Sequence, residues 1–363
     1  MRKNEFYRAY GTEYKEMTKR LLEKARLCDE IKKDACIGIK PNLVSPVPAK
    51  FGGTTHPEII AGIIEYLQSH GFDNICIAEG SWVGATTKEA FDYCGYLNLA
   101  EEYNVRLIDT QLDESFGVDC KGLKLNVCNC VKDIDFLINV PVLKGHSQTK
   151  ITCALKNMKG LLPNKEKRRF HTMGLHRPIA HLNTYIHQDF IVVDHICGDP
   201  DFEEGGNPLV RNCIFLAKDP VLVDAYTASV LGYETSEIEY IEMAEELGIG
   251  STDLSKLKIT TFEGEGSEEL PQIHDILEVN YAVDSVESCS ACYGMLIGAL
   301  RRLKDEGLLD KLEDKIAIGQ GYQGKTGKCG VGKCTKLFEF NIPGCPPQEE
   351  KIYEALKKRI ESK

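Results

Sequence analysis

Five cysteines crowd the last fifth of the sequence: Cys289 and Cys292 in ESCSACYG, Cys329 and Cys334 in GKCGVGKCT, and Cys345 in IPGCPP. A C-x-x-C step lets two thiolates reach one metal centre from a single turn. Several thiolates together select zinc or an iron–sulfur cluster. Zinc ribbons pair two C-x-x-C knuckles about 15–20 residues apart. Here the second half is C-x4-C with a lone GCPP, after a long gap that carries a predicted helix, GMLIGALRRLKDEG. That spacing favours an iron–sulfur cluster, with structural zinc as the alternative. The glycines beside Cys329 and Cys334 allow close backbone approach, and the prolines after Cys345 fix the chain direction there.

The other ten of the fifteen cysteines lie before residue 214. Cys76 in NICIAEG and Cys213 in NCIFLAKD occupy apolar, strand-like text, and small core residues are the reading for this set. Cys128 and Cys130 form a C-x-C step that would share one face of a strand, but no second pair follows. The N-terminus carries no apolar leader, so a cytoplasmic, reducing setting is expected, where disulfides are rare.

A second chemistry is written at the predicted strand ends. The text there is Lys40-Pro41-Asn42, Glu79-Gly80-Ser81 and Lys144-Gly145-His146, with Asp194 inside FIVVDHICGD and Asp219 before Pro220. Ligands of open parallel sheets sit beyond the carboxyl ends of the strands. These ends therefore describe a cleft with a cationic edge, suited to an anionic small molecule. Lys144 and His146 are the candidate catalytic pair, His146 as a proton donor. Lys40, Asn42, Glu79, Lys156, Asn157, Lys159, His176 and Asp194 are the candidate binding residues. Plainer roles compete: a helix N-cap for Asp219, a partner to a nearby histidine for Asp194, and a solvated loop for NKEKRR. His171, His176 and His181 lack the spacing of a compact helical metal pair. GQGYQGKT, residues 319–326, fits G-x-x-x-x-G-K-[ST]. A phosphate loop must open a helix, whereas GKCGVGKC follows, so a glycine-rich cluster loop is expected.

The elements that must position these residues alternate. ACIGIKPNLV, DNICIAEG, VRLIDT, DFLINVPVLK, FIVVDHICG, CIFLAKD and KLKITTFEG are strand-like. HPEIIAGIIEYLQSHG and PVLVDAYTASVLG are among the helices between them. The expectation is an α/β fold: a largely parallel sheet with helices on both faces, plus a small C-terminal cysteine-rich segment. The boundary is placed between an α/β domain, 1–275, and a cluster-binding region, 276–363. A net charge of −11 argues against nucleic acid or an anionic membrane as partner. No apolar run reaches the roughly 18 residues of a membrane span.

KPNLV, TTHPE, AEGS, INVPVLKGHSQTKITCALKNMKG, HRPIAHLN, VVDHICGD and AKDPVLVDA together resemble the DUF362 family of uncharacterised iron–sulfur-centre proteins, common in anaerobes. The cysteine pattern also resembles the cluster-binding small subunits of nickel–iron hydrogenases and of the quinone-reducing respiratory complex. That resemblance implies one four-iron, four-sulfur (4Fe-4S) cluster on Cys289, Cys292, Cys334 and Cys345. Cys329 is a fifth candidate, able to replace Cys334 or to stand beside the cluster. The two-cluster ferredoxin runs of many relatives are lacking. The leading expectation is an oxidoreductase or electron-transfer protein, with a redox partner protein. The alternatives are a non-redox enzyme (isomerase, lyase or sulfur transfer) and a carrier or assembly protein for a cluster or cofactor.

Overall fold

The computed structural model describes residues 1–206, 208–266 and 278–362. It divides into two units. The first holds Met1–Gly145 and Thr149–Leu270, the second His146–Gln148 and Pro271–Lys363. The expected boundary between 275 and 276 lies outside the described residues.

The first unit is built on an eight-stranded sheet. Its strands are β1 (Glu5–Tyr10), β2 (Ile37–Lys40), β3 (Ile75–Glu79), β4 (Arg106–Asp109), β7 (Phe136–Asn139), β10 (Phe190–Gly198), β11 (Leu209–Ala217) and β12 (Lys258–Glu263). The spatial order is β12-β1-β11-β10-β7-β2-β3-β4. Only the β1–β11 and β10–β11 pairs are antiparallel. β2, β3 and β7 are buried at every position, as strands covered on both faces must be. In β10 the side chains alternate between two cores: Ile191 and Val193 enter one, Phe190 and Val192 the other. Helices Tyr14–Ala25 and Pro57–Ser69 cover the second face; Pro220–Val230 and Glu239–Glu246 cover the first.

Several local readings change. EFYRAY forms β1, which its polar neighbours disguised. β5 (Ser115–Cys120) and β6 (Leu123–Cys128) make an antiparallel hairpin beside the main sheet. Cys130 opens the turn of helix after β6, so Cys128 and Cys130 do not share a strand face. NKEKRR is not a solvated loop. It starts helix Asn164–Met173, which buries Glu166, Lys167 and Phe170. Short strands β8 (Lys144–His146) and β9 (Lys150–Thr152) precede a helical turn, Ala154–Asn157.

The second unit carries a sheet of its own. β13 (Val283–Ser285), β14 (Ile316–Ile318), β15 (Cys329–Val331) and β16 (Phe340–Ile342) lie in sequence order, and every pair is parallel. Helices Ser290–Asp305 and Glu349–Glu361 pack together, with Arg302 paired to Glu350 and Lys357 to Glu306. KIAIG, strand-like in the sequence, forms β14; the other three strands, of three residues each, are too short for periodicity to register. Among the described residues no helix is long and apolar enough to cross a membrane.

Candidate functional site

β2, β3 and β7 run parallel, so their last residues, Lys40, Glu79 and Asn139, meet at one sheet edge. Lys40 Nζ lies 2.7 Å from Glu79 Oε2, and both side chains are buried. Glu79 Oε1 accepts the N–H of Gly80 at 2.6 Å, and Oε2 that of Leu43 at 3.1 Å. The turn Ala154–Asn157 brings Asn157 against this pair. Asn157 Nδ2 donates to Asn139 Oδ1 at 2.7 Å, and its Oδ1 accepts from Asn42 Nδ2 at 2.9 Å. Asn42 Oδ1 in turn accepts from Lys144 Nζ at 2.9 Å. Lys144 also donates to the carbonyls of Gly53 and Glu203.

Three more lysines join this network. Lys156 Nζ pairs with Glu203 Oε2 at 2.9 Å and donates to Thr152 Oγ1 at 2.8 Å. Lys167 donates to the carbonyls of Gly80 and Ser81, at 2.8 and 2.9 Å. Lys159 is surrounded by the charges of Lys156, Glu203 and Lys167. Among the described residues its ammonium has no hydrogen-bond or ion-pair partner. Glycines make the close packing feasible. A Cβ at Gly160 would lie 2.2 Å from Glu79 Oε1 and 2.4 Å from Lys40 Nζ; one at Gly80 would lie 2.6 Å from Lys167 Nζ.

Five ammonium groups therefore share a region whose ion-paired carboxylates are Glu79 and Glu203. Burial disfavours the charged form of each. It is the largest cause in every case, and it lowers Lys144 and Lys159 to about 7 and Lys167 to about 8. Lys40 and Lys156 are lowered too, with their carboxylate partners opposing the shift. A region of this kind holds surplus protons only when an anion stabilises them.

The remaining predicted binding residues divide. His176 is partly buried against Tyr240, whose N–H donates to its Nδ1 at 3.3 Å. Asp194 faces another way: its Oδ2 is 2.8 Å from His56 Nδ1 and also accepts the His56 N–H at 2.8 Å. Lys144 belongs to the first unit and His146 to the second. His146 is buried, and its Nδ1 accepts the N–H of Gln148 at 3.0 Å. Sequence reasoning missed Glu203, in a loop without periodicity, and Lys167, hidden in a run of exposed charge. It also missed Asp224, which caps Ala154 and Leu155 and is raised by burial to about 7. Asp219 caps its helix through Val221 and Leu222, as expected.

In the second unit the carboxyl ends of the parallel strands carry the thiols. Cys289 follows β13 and N-caps helix Ser290–Asp305, whose first turn holds Cys292. Cys334 follows β15, and Cys345 follows β16. Cys292 is pushed strongly upward. The hydrogen bond to Cys289 is the largest cause, then burial, then the charges of Cys289, Cys345 and Cys334. Cys329 opens β15 at the opposite end. It is buried, and the charged groups it feels are Arg359 and Asp314. The GQGYQGKT segment follows β14 and opens no helix. Gln320 N–H donates to Glu287 O, Gly321 N–H to Val286 O, and Gln323 Nε2 lies 3.6 Å from Cys334 Sγ. A Cβ at Gly319 would meet Val286 O at 2.0 Å.

Among the described residues, no three His, Cys, Asp or Glu side chains are close enough to hold a single metal ion.

Residues 37–229, over half of the chain, match the model of a family described as "Domain of unknown function (DUF362)". A thylakoid-associated protein of Synechocystis sp. is 24% identical over 229 residues, 59% of this chain and 68% of that protein. Two solved structures are similar. The lactate racemase apoprotein from Thermoanaerobacterium thermosaccharolyticum has a TM-score of 0.38 and 16% identity, over 66% of this chain. A protein from Thermotoga maritima has 0.39 and 14%, over 65%. The match spans less than two thirds of either solved chain, 56% and 60%.

Proposed function

The chain belongs to the DUF362 family, and from that premise we propose that it is an iron–sulfur protein acting on an anionic small molecule held at the lysine-rich edge of the first unit. The observation that carries this reading is the gathering of Lys40, Lys144, Lys156, Lys159 and Lys167, of which the part-buried Lys159 has no hydrogen-bond or ion-pair partner among the described residues. Burying an unpaired charge costs several kcal/mol, so such groups go neutral or acquire a counter-ion. A bound carboxylate or phosphate supplies that counter-ion. Lys159 and Lys144 would fix the anion's charge, and Asn42 and Asn157 would orient Lys144 and Lys40. The residues that would hold a cluster are Cys289, Cys292, Cys334 and Cys345. A cluster on them passes single electrons, which makes an oxidoreductase or electron carrier the leading reading.

The near-neutral Lys144 and Lys159 favour a second reading, a non-redox isomerase or lyase. A buried amine titrating close to pH 7 is suited to take and return a proton. There Lys144 would be the base and the cluster a structural element.

Anaerobic purification with iron and sulfide analysis and an EPR spectrum tests the cluster. Four irons and four sulfides per chain are expected, and one zinc without sulfide would overturn it. Calorimetry with inorganic phosphate and with a dicarboxylate tests the anion site, where Lys159→Met should cost at least tenfold in affinity. Turnover that needs an electron acceptor or donor favours the first reading; turnover without one favours the second.

A further inference from the structure

Asp194 holds His56, and His56 faces a thiol. Its Nε2 lies 3.8 Å from Cys197 Sγ, while its Nδ1 is 2.8 Å from Asp194 Oδ2. Asp194 is itself anchored: Oδ1 accepts the Ile196 N–H at 3.1 Å. The three groups come from two neighbouring elements. Asp194 and Cys197 lie on β10, and His56 is the N-cap of helix Pro57–Ser69. A thiol, an imidazole and a carboxylate in this order are the parts of an activated nucleophile. We propose that Cys197 is a peroxide-reactive thiol, ionised by His56 and oxidised to the sulfenic acid by small hydroperoxides.

The step balances within these residues, the peroxide and solvent. His56 is already the imidazolium that Asp194 stabilises, so the thiol proton is lost to solvent and the His56 charge favours the thiolate left behind. Sγ then attacks one peroxide oxygen, forming S–O as O–O breaks. The His56 proton goes to the departing oxygen, which leaves as water from hydrogen peroxide. Sulfur loses two electrons and the peroxide gains them. The His56 contact sets Cys197 apart from Cys213 and Cys120, which burial pushes up to about 12 and about 11. Burial also opposes the charge on His56, but Asp194 and Cys197 outweigh it and raise His56 to about 10. Tyr14, whose ring centroid is 5.7 Å from that of His56, and Glu58 face this cluster, and Tyr96, His195 and Cys213 feel the charge of Asp194. In the thiol form Cys197 donates to the Ala49 carbonyl at 3.3 Å, a bond it gives up on ionising.

The test is peroxide treatment of the full chain, with a 1,3-dicarbonyl trap for sulfenic acid and peptide mass spectrometry. Cys28 is the reference, because it is more exposed than Cys197 and has no histidine beside it. Trapping at Cys197 should run at least tenfold faster than at Cys28 and fall at least tenfold in His56→Gln. Faster trapping at Cys28, or an unchanged Cys197 rate in His56→Gln, would overturn the proposal. Should that variant not fold, the wild-type rate between pH 6 and 8 decides. A thiolate already formed reacts at a nearly constant rate, whereas an ordinary thiol of pKa about 8.5 gains close to tenfold per pH unit.

Discussion

Lysines that look alike in the sequence behave differently once their partners are known. Lys40 has Glu79, so removing it strands a buried carboxylate. Lys40→Met should cost about 3–5 kcal/mol in chemical denaturation. Lys159 has no such partner, so Lys159→Met should leave the unfolding midpoint unchanged or higher while anion affinity drops. A matching loss of stability in both variants would refute that contrast. The pH dependence follows from Lys144 and Lys159 at about 7 and Lys167 at about 8, against 10.5 for the free side chain. Between these values the unfolded chain binds more protons than the folded one. Stability of the ligand-free protein should therefore rise from pH 7 toward 10. Anion affinity should run in the opposite sense, strongest near pH 6 and weakest near pH 9, as titration calorimetry across that range would show. Lys40, Glu79 and Lys144 were legible because they sit where a parallel sheet puts its ligands. Lys167 and His56 were not, because a charge run and a helix start carry no mark of what they will face.

At the scale of the element, the carboxyl edge of a parallel sheet organises both units. In the second it bears on a choice that spacing left open. Cys334 lies beyond β15 and Cys329 at its start, and of the two only Cys334 is among the charges felt at Cys292, which favours Cys334 as the proposed ligand. Cys334→Ser should abolish bound sulfide and the EPR signal, whereas Cys329→Ser should retain both. Equal loss in the two variants would reject the assignment. The glycines work at the same scale. Gly160→Ala places a methyl on the Lys40–Glu79 pair, and overpacking of this kind costs about 1–3 kcal/mol. The expected result is an earlier unfolding midpoint together with weakened anion binding. The alternation of the first sheet was readable because its strands are long, apolar and bounded by glycine and proline. Of the four short strands of the second, β14 was readable in KIAIG; the other three were not, since register with neighbours, rather than local composition, defines them.

For the whole molecule, the chain's net charge of −11 is opposite in sign to the lysines of the proposed anion site. Long-range attraction therefore does little to draw an anion in, and affinity rests on short contacts shielded from solvent. Such contacts are screened far less than surface pairs. Raising ionic strength from 50 to 500 mM with a bulky, weakly coordinating salt should thus shift the anion Kd by less than about tenfold, as calorimetry would measure. The four thiols of the second unit, finally, are spaced by a hydrogen-bond ladder between strands. In a zinc finger the metal creates the fold. Here the scaffold's own pairing spaces the thiols, so the proposed assembly would have an order: the polypeptide would fold first and take up iron and sulfide afterwards. Such a protein could be emptied and refilled without passing through its unfolded state.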